Sequence, residues 1–463
     1  MSDLVVVTNR GPLSFVVDEG QVVVGRAPGG LAPSLAEALE GQSALWIAAA
    51  SSDGERDLAA RASPGPTTMG LEVDLVEIPD EVAAACRVIA NSTLWFLHHG
   101  LFDRTRRPRI DSRWHEAWEN YRVYNALFAD EIAGRAPNGA KVVLNDYHLS
   151  LVGRRLVELR PDLETVHFTH TPFCDPDELR VLPRSVAAEL IVGIASCGVA
   201  GFHTARWADN FRRCAAELLA DDSPVVVAPL GVDARRLAAI SATPGVERAR
   251  AELFASVDER RIILRSDRLE LSKNIVRGFL AFEELLEADP RLRDSVVFIA
   301  HLYPSRQELP EYLAYRNEVE RTAARVNERF GTDGRSSVIL EIADDHDASI
   351  AALSSFDVLV VNALRDGMNL VAKEGSVLNR RDGALLLSRE VGAFAELGGE
   401  AVPVEPFDIT GTAGAIHRAL DMPRDDRHAR ACRLAELSAL HPPAQWLAEV
   451  FGQAQPGRRP RPV

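Results

Sequence analysis

Hydrophobic residues recur in short β-branched runs separated by longer amphipathic stretches, the alternation expected of strands and the helices that cover them. Residues 4–7 form the first apolar run, which Asn9-Arg10-Gly11-Pro12 breaks. Residues 14–17 and 21–24 flank Asp18-Glu19-Gly20 and predict a hairpin. A helix is expected at 31–39, strands at 44–48 and 75–78, and a long helix at 112–132. Residues 91–99 (Asn91-Ser92-Thr93-Leu94-Trp95-Phe96-Leu97-His98-His99) read most simply as a helix carrying core aromatics. Further strands are expected at 140–144, 165–168, 198–202 and 225–228, and Pro229-Leu230-Gly231-Val232-Asp233 reads as an interdomain connection.

The alternation then restarts, with strands expected at 261–265, 296–302, 337–342, 357–362 and 383–387 and a long helix at 309–329. Two successive β/α arrays predict an α/β chain with two doubly wound, Rossmann-like domains facing across a cleft. Their expected limits are 1–230 and 231–440. A helix within 441–454 is expected to pack back toward the first domain, and the Pro- and Arg-rich residues 455–463 to be disordered.

One stretch organises the rest. The run 357–362 leads into Arg365-Asp366-Gly367-Met368-Asn369-Leu370-Val371-Ala372-Lys373-Glu374. A buried strand, a glycine turn and a helix start place free backbone N–H groups at one point, which suits an anion such as a diphosphate. Asp366 has no place beside bare phosphate and more plausibly meets neutral hydroxyls, as on a sugar. Glu374, further along the helix, could reach another, for example on a ribose.

Arg268 and Lys273 follow a strand end five residues apart, a spacing that can bring both cations to one diphosphate. Arg10 and Arg306 each follow a strand, one per half, and could clamp a second phosphate. Asp146 and His170 fall at carboxyl ends of predicted strands, where open α/β sheets gather ligands. Gly29-Gly30 before a helix is a second, weaker phosphate-approach signal.

Composition narrows the partners. A formal net charge of −15 argues against a general nucleic-acid or anionic-membrane surface, so an anionic substrate must be met by local cations. Five cysteines without CxxC spacing favour reduced thiols in a cytoplasmic protein. The first ten residues show no secretory leader pattern, and no run approaches the roughly 18 apolar residues of a spanning helix. A homo-oligomer is neither required nor excluded. There is no GxxxxGK[ST], no GxGxxG after the first strand, no GxSxG and no zinc-like ligand spacing. Asp175 with Asp177, and Asp345 with Asp347, sit where acids cap helices or face solvent.

Together these residues resemble the trehalose-6-phosphate synthases, retaining glycosyltransferases of family 20 with the GT-B fold, and the resemblance includes the related validamycin-type pseudoglycosyltransferases. The RxDRLxxxK motif stands at residues 265–273, RDGMNLVAKE at 365–374, DYH at 146–148, HxPF at 170–173 and NxxLW at 91–95. Asn9-Arg10, Gly29-Gly30 and Tyr303-Pro304-Ser305-Arg306 complete it.

The resemblance implies a nucleoside diphosphate sugar as donor, a sugar phosphate as acceptor, and no metal or other cofactor. It implies an acceptor-binding first domain and a nucleotide-sugar-binding second one. Arg268 and Lys273 would hold the diphosphate, with Gly29 and Gly30 approaching it. Asp366 and the amides of Gly367, Met368, Asn369, Leu370 and Val371 would hold sugar and phosphate, Glu374 the ribose, and His170 the donor sugar. Trp95 and Asp146 would line the acceptor pocket, and Arg10 and Arg306 would bind its phosphate. The implied catalytic set is Asp146, His170, Arg268, Lys273 and Asp366.

Three positions depart from the family. Cys86 stands where a tyrosine is usual, Leu271 replaces another tyrosine, and Asn274 replaces a glycine. Asn274 is similar to the pseudoglycosyltransferases, which couple a nucleotide-linked cyclitol to an amino-cyclitol phosphate. A silent sugar-phosphate-binding regulator is the third alternative, and the intact Arg268, Lys273, Asp366, Glu374 and His170 speak against it.

Overall fold

A computed structural model of the chain describes residues 3–18, 21–26, 31–61, 67–68, 71–220, 222–332 and 334–462. Gly29 and Gly30 lie outside them. The chain divides into two compact units, Met1–Leu230 with Pro443–Val463, and Gly231–Pro442.

The first unit is built on β1 (Leu4–Thr8), a hairpin of β2 (Leu13–Asp18) and β3 (Gln21–Arg26), then β4 (Ala44–Ala49), β5 (Thr67–Thr68), β6 (Leu71–Val76), β7 (Lys141–Asn145), β8 (Glu164–Thr169), β9 (Val199–Phe202) and β10 (Val225–Val227). Outside the hairpin, its sheet runs β10-β9-β8-β7-β1-β4-β6-β5, parallel except at β5. Val5, Val6 and Val7 at its centre are fully buried, as expected of a strand covered on both faces.

Expectation and structure differ here in three places. The strand expected at 75–78 runs instead over Leu71–Val76, because Leu71, Val73 and Leu75 alternate inward while Pro79 already starts the helix Asp80–Ile89. That helix continues through a wide turn, Ala90–Leu94, into Trp95–His99, so the helix expected at 91–99 is the end of a longer one that starts at Asp80. Such π-type turns have no composition signature and recur at functional sites. The tail expected to be disordered is paired: β17 (Gln455–Pro456) runs antiparallel to β8, and Ala220 N donates to Arg461 O at 2.8 Å. Pro and Arg content reports exposure and is blind to backbone partners. Gly198 fits this pairing, since a Cβ there would meet Gln455 O at 2.0 Å. The helix Pro443–Gly452 lies in the same unit, with Trp446 fully buried and its Nε1 donating to Ala228 O at 3.0 Å.

The second unit holds β11 (Arg261–Arg268), β12 (Val296–Tyr303), β13 (Val338–Ile342), β14 (Val358–Val361), β15 (Ala384–Ser388) and β16 (Val402–Val404), all parallel in the order β13-β12-β11-β14-β15-β16. Ile263, Phe298, Val358, Val360 and Leu386 fill one hydrophobic cluster; Ile262, Leu264, Val297, Leu359 and Leu387 fill another. Alternate residues of the same strands thus enter two cores, one per face, as a doubly wound sheet requires. The short edge strand β16, with Pro403 inside it, escaped the hydrophobic pattern. Among the described residues no helix is long and apolar enough to cross a membrane.

Candidate active site

In the second unit, the carboxyl ends of β11, β12 and β14 bring the charged candidates together. Beyond β11 the chain makes a single turn, Leu271–Lys273, and Asn274 then takes a left-handed conformation (φ 59°, ψ 40°) that starts the helix Ile275–Ala288. That conformation explains why either glycine or asparagine suits position 274. Its side chain is also used, Nδ2 donating to Asn362 O (3.0 Å) and Pro406 O (2.6 Å).

Lys273 Nζ donates to Asp366 Oδ2 at 2.6 Å and lies 3.8 Å from Asp267 Oδ1. Burial acts to lower the ammonium's pKa, but Asp366 and Asp267 more than offset it, so the group is held above its ordinary value. Arg265, fully buried, fixes this turn from beneath through Asp267 Oδ2 (2.9 Å), Lys273 O (2.7 Å) and Asn362 Oδ1 (2.5 Å). Burial raises the pKa of Asp267 against the pull of Arg265 and Lys273. Arg268 is half exposed, with Nε 3.4 Å from Glu270 Oε1.

After β14 comes the RDGMN turn. Gly367 lies in this bend, and the left-handed residue is Asn369 (φ 72°), whose Oδ1 caps the helix Leu370–Leu378 by accepting from Ala372 N at 3.0 Å. The close approach falls at Gly392, where a Cβ would meet Gly367 O at 1.9 Å. Asn369 Nδ2 also donates to Asp366 Oδ2 at 3.1 Å. Gly367 and Met368 are buried, while Leu370, Val371 and Glu374 on the first helical turns are half-buried. Neighbouring Lys373 is fully buried and pairs with Glu396 at 2.7 Å, which makes it structural.

Arg306 follows β12 in the same unit. Its backbone is left-handed (φ 44°), unusual for arginine, and NH1 donates to Tyr312 Oη at 2.7 Å.

In the first unit, Asp146 and His170 meet where β7 and β8 end. Asp146, after β7, has φ 71°, and its Oδ1 accepts from His170 N (3.2 Å) and Thr171 N (3.4 Å), joining the ends of β7 and β8. His170 Nε2 faces Asn145 Oδ1 at 2.9 Å, and Nδ1 faces His203 Nε2 at 3.1 Å. Asn145 Nδ2 donates to Val7 O at 3.0 Å, so the amide turns its oxygen to His170 and assigns the proton to Nε2. Burial, then His203 and His167, hold His170 well below the ordinary imidazole range, hence neutral.

Arg10 is exposed, beside Asn9, whose Oδ1 accepts from Tyr124 Oη at 2.6 Å. Trp95 is 1% exposed and packs on His99 with ring centroids 4.2 Å apart, so its ring belongs to the core. Cys86 is buried, and burial pushes its thiol pKa up.

Asp175 and Asp345 each cap a helix start. Among the described residues no group of three or more His, Cys, Asp or Glu side chains is arranged to hold a metal. Sequence reasoning missed Glu270, Asn145 and His203. Glu270 was open to notice, as a carboxylate two residues past Arg268, and His203 as the residue directly after the strand expected at 198–202.

The profile of glycosyltransferase family 20 matches residues 2–455. The chain belongs to that family. This family-20 glycosyltransferase is 32% identical to the trehalose-6-phosphate synthase of Mycobacterium bovis, an alignment covering 99% of this chain and 96% of that one. Its fold is similar to an α,α-trehalose-phosphate synthase (UDP-forming) from Burkholderia vietnamiensis, with a TM-score of 0.84 and 27% identity over 98% of this chain and 100% of that one. A UDP-forming synthase from Burkholderia xenovorans in complex with glucose-6-phosphate is similar at a TM-score of 0.84 and 26% identity, over 98% and 100% of the two chains. The two α/β units of this family-20 enzyme are thus those of a GT-B glycosyltransferase.

Proposed function

We propose that this glycosyltransferase moves glucose from a nucleoside diphosphate glucose to glucose 6-phosphate with retention, giving α,α-trehalose 6-phosphate. The whole-length match to synthases of that activity carries this reading. The geometry supplies parts that such chemistry needs. Arg268 and Lys273 would meet the diphosphate, whose negative charge grows as the sugar–phosphate bond breaks. Binding the diphosphate redirects Lys273 from Asp366, and Asp366 Oδ2 then accepts from a sugar hydroxyl instead.

The amides of residues 367–371 serve the sugar and phosphate, Glu374 the ribose, and Gly29-Gly30 the diphosphate. Asp146, Arg10 and Arg306 serve the acceptor, the two arginines through its phosphate, while Trp95 is a core ring. His170, held neutral, serves the donor sugar. The acceptor hydroxyl attacks from the face the diphosphate leaves, and the departing phosphate oxygen takes its proton. The protein contributes orientation and fixed positive charge, without a metal or other cofactor.

The cyclitol-coupling alternative rested on Asn274. The left-handed backbone and the two carbonyl contacts of Asn274 account for that residue without reference to substrate. The test is incubation of the enzyme with UDP-, GDP- or ADP-glucose and glucose 6-phosphate, followed by mass spectrometry. One phosphorylated disaccharide per nucleotide released is expected; turnover of a nucleotide-linked cyclitol and an amino-cyclitol phosphate, with every glucose donor inert, would overturn the reading.

A further inference from the structure

Glu270 is 1% exposed at the end of β11 and has no place among the groups assigned to substrate. A buried carboxylate is tolerated only when other groups satisfy it. Its Oε1 accepts from Ser305 Oγ at 2.9 Å and lies 3.4 Å from Arg268 Nε. Ser305 directly precedes Arg306, whose left-handed backbone leaves that turn in need of anchoring. Leu269 N donates to Tyr303 O at 2.7 Å, joining the same two loops through the main chain.

We infer that Glu270 is a positioning residue shared by both substrates, one carboxylate that aims Arg268 at the donor diphosphate and, through Ser305, sets the turn that presents Arg306 to the acceptor phosphate. This rests on the substrate assignments proposed above. Burial alone would raise the pKa of Glu270; Arg268, Arg306 and Lys273 outweigh it and hold the group at about 2, ionised throughout the working range.

A bare electrostatic role makes the opposite forecast. Deleting a negative charge beside three cations should strengthen anion binding, whereas deleting a positioning group should weaken it for both substrates.

The experiment is steady-state kinetics on the full-length enzyme carrying Glu270→Gln. Both KM values should rise about tenfold, and Glu270→Asp, which keeps the charge, should recover part of the loss. Both KM values falling or staying put, or only one rising, would overturn the proposal. Should Glu270→Gln fail to fold, Ser305→Ala cuts only the arm to Arg306. It should raise the acceptor KM about threefold with the donor KM unmoved, and equal shifts or none would contradict a shared anchor. Arg306→Ala tests the underlying assignment separately: it should raise the acceptor KM alone, and if it does not, the assignment fails whatever Glu270→Gln shows.

Discussion

The two units prepare their candidate sites by opposite means. In the second, charge is concentrated and mutually held: Arg265 on Asp267, Lys273 on Asp366, Glu270 with Arg268. In the first, the joined ends of β7 and β8 present imidazole and amide groups, and burial keeps His170 and His167 uncharged. A site for a group that departs with growing negative charge needs preorganised cations; a site for hydroxyls needs directional, neutral partners. Similar parallel-sheet scaffolds thus carry different electrostatics because different side chains follow the strand ends.

The largest effect expected from breaking this contrast comes at Lys273. Lys273→Gln removes the cation paired with Asp366, while Asp267 keeps Arg265. A fall in kcat of about 10²–10³ is expected. A loss below tenfold in steady-state assays would mean the charged cluster is structural only.

Acid should separate the units next. His167 is fully buried, and burial lowers its pKa from 6.5 to about 4. Below pH 6.5 the unfolded chain therefore takes up a proton that the folded chain refuses. Stability of the first unit should fall as pH drops from 6.5 toward 4, His167 contributing about 1.4 kcal/mol per pH unit and His170 adding to it. Glu270 is depressed instead, so its contribution is full above pH 4.5 and is lost only as pH falls toward 2. All six tryptophans lie in the first unit, so urea titrations followed by tryptophan fluorescence at pH 7 and pH 5 report on it selectively. His167→Leu should lessen the pH dependence, with the part due to buried His170 remaining. An unchanged slope in that variant would place the acid sensitivity elsewhere.

The smallest effect is expected at Asn274. Asn274→Gly keeps the left-handed backbone but loses the contacts to Asn362 and Pro406, for about 1 kcal/mol of stability. The product should stay the same, and a switch of acceptor by mass spectrometry would return position 274 to substrate selection.

What the sequence revealed follows the same division. The charged site was legible because residues 265–273 and 365–374 each lie on one continuous strand–turn–helix passage, where sequence neighbours remain spatial neighbours. Even there, residue type told only part: glycine marked the bend at 367, but nothing marked the left-handed conformation of Asn369. The first unit's site was only half legible. Asp146 and His170 were found from strand ends, but the pairing of His170 with His203, 33 residues on, is made by tertiary packing alone. The ordered tail belongs to the same class, since main-chain pairing to β8 leaves no trace in side-chain composition.

The most direct test is the product itself. Proton NMR of a reaction containing α-linked nucleoside diphosphate glucose and glucose 6-phosphate should show an α,α-linked phosphorylated disaccharide appearing as the nucleotide sugar disappears. A β-linked product, or hydrolysis of the donor with glucose 6-phosphate left intact, would contradict retention with transfer.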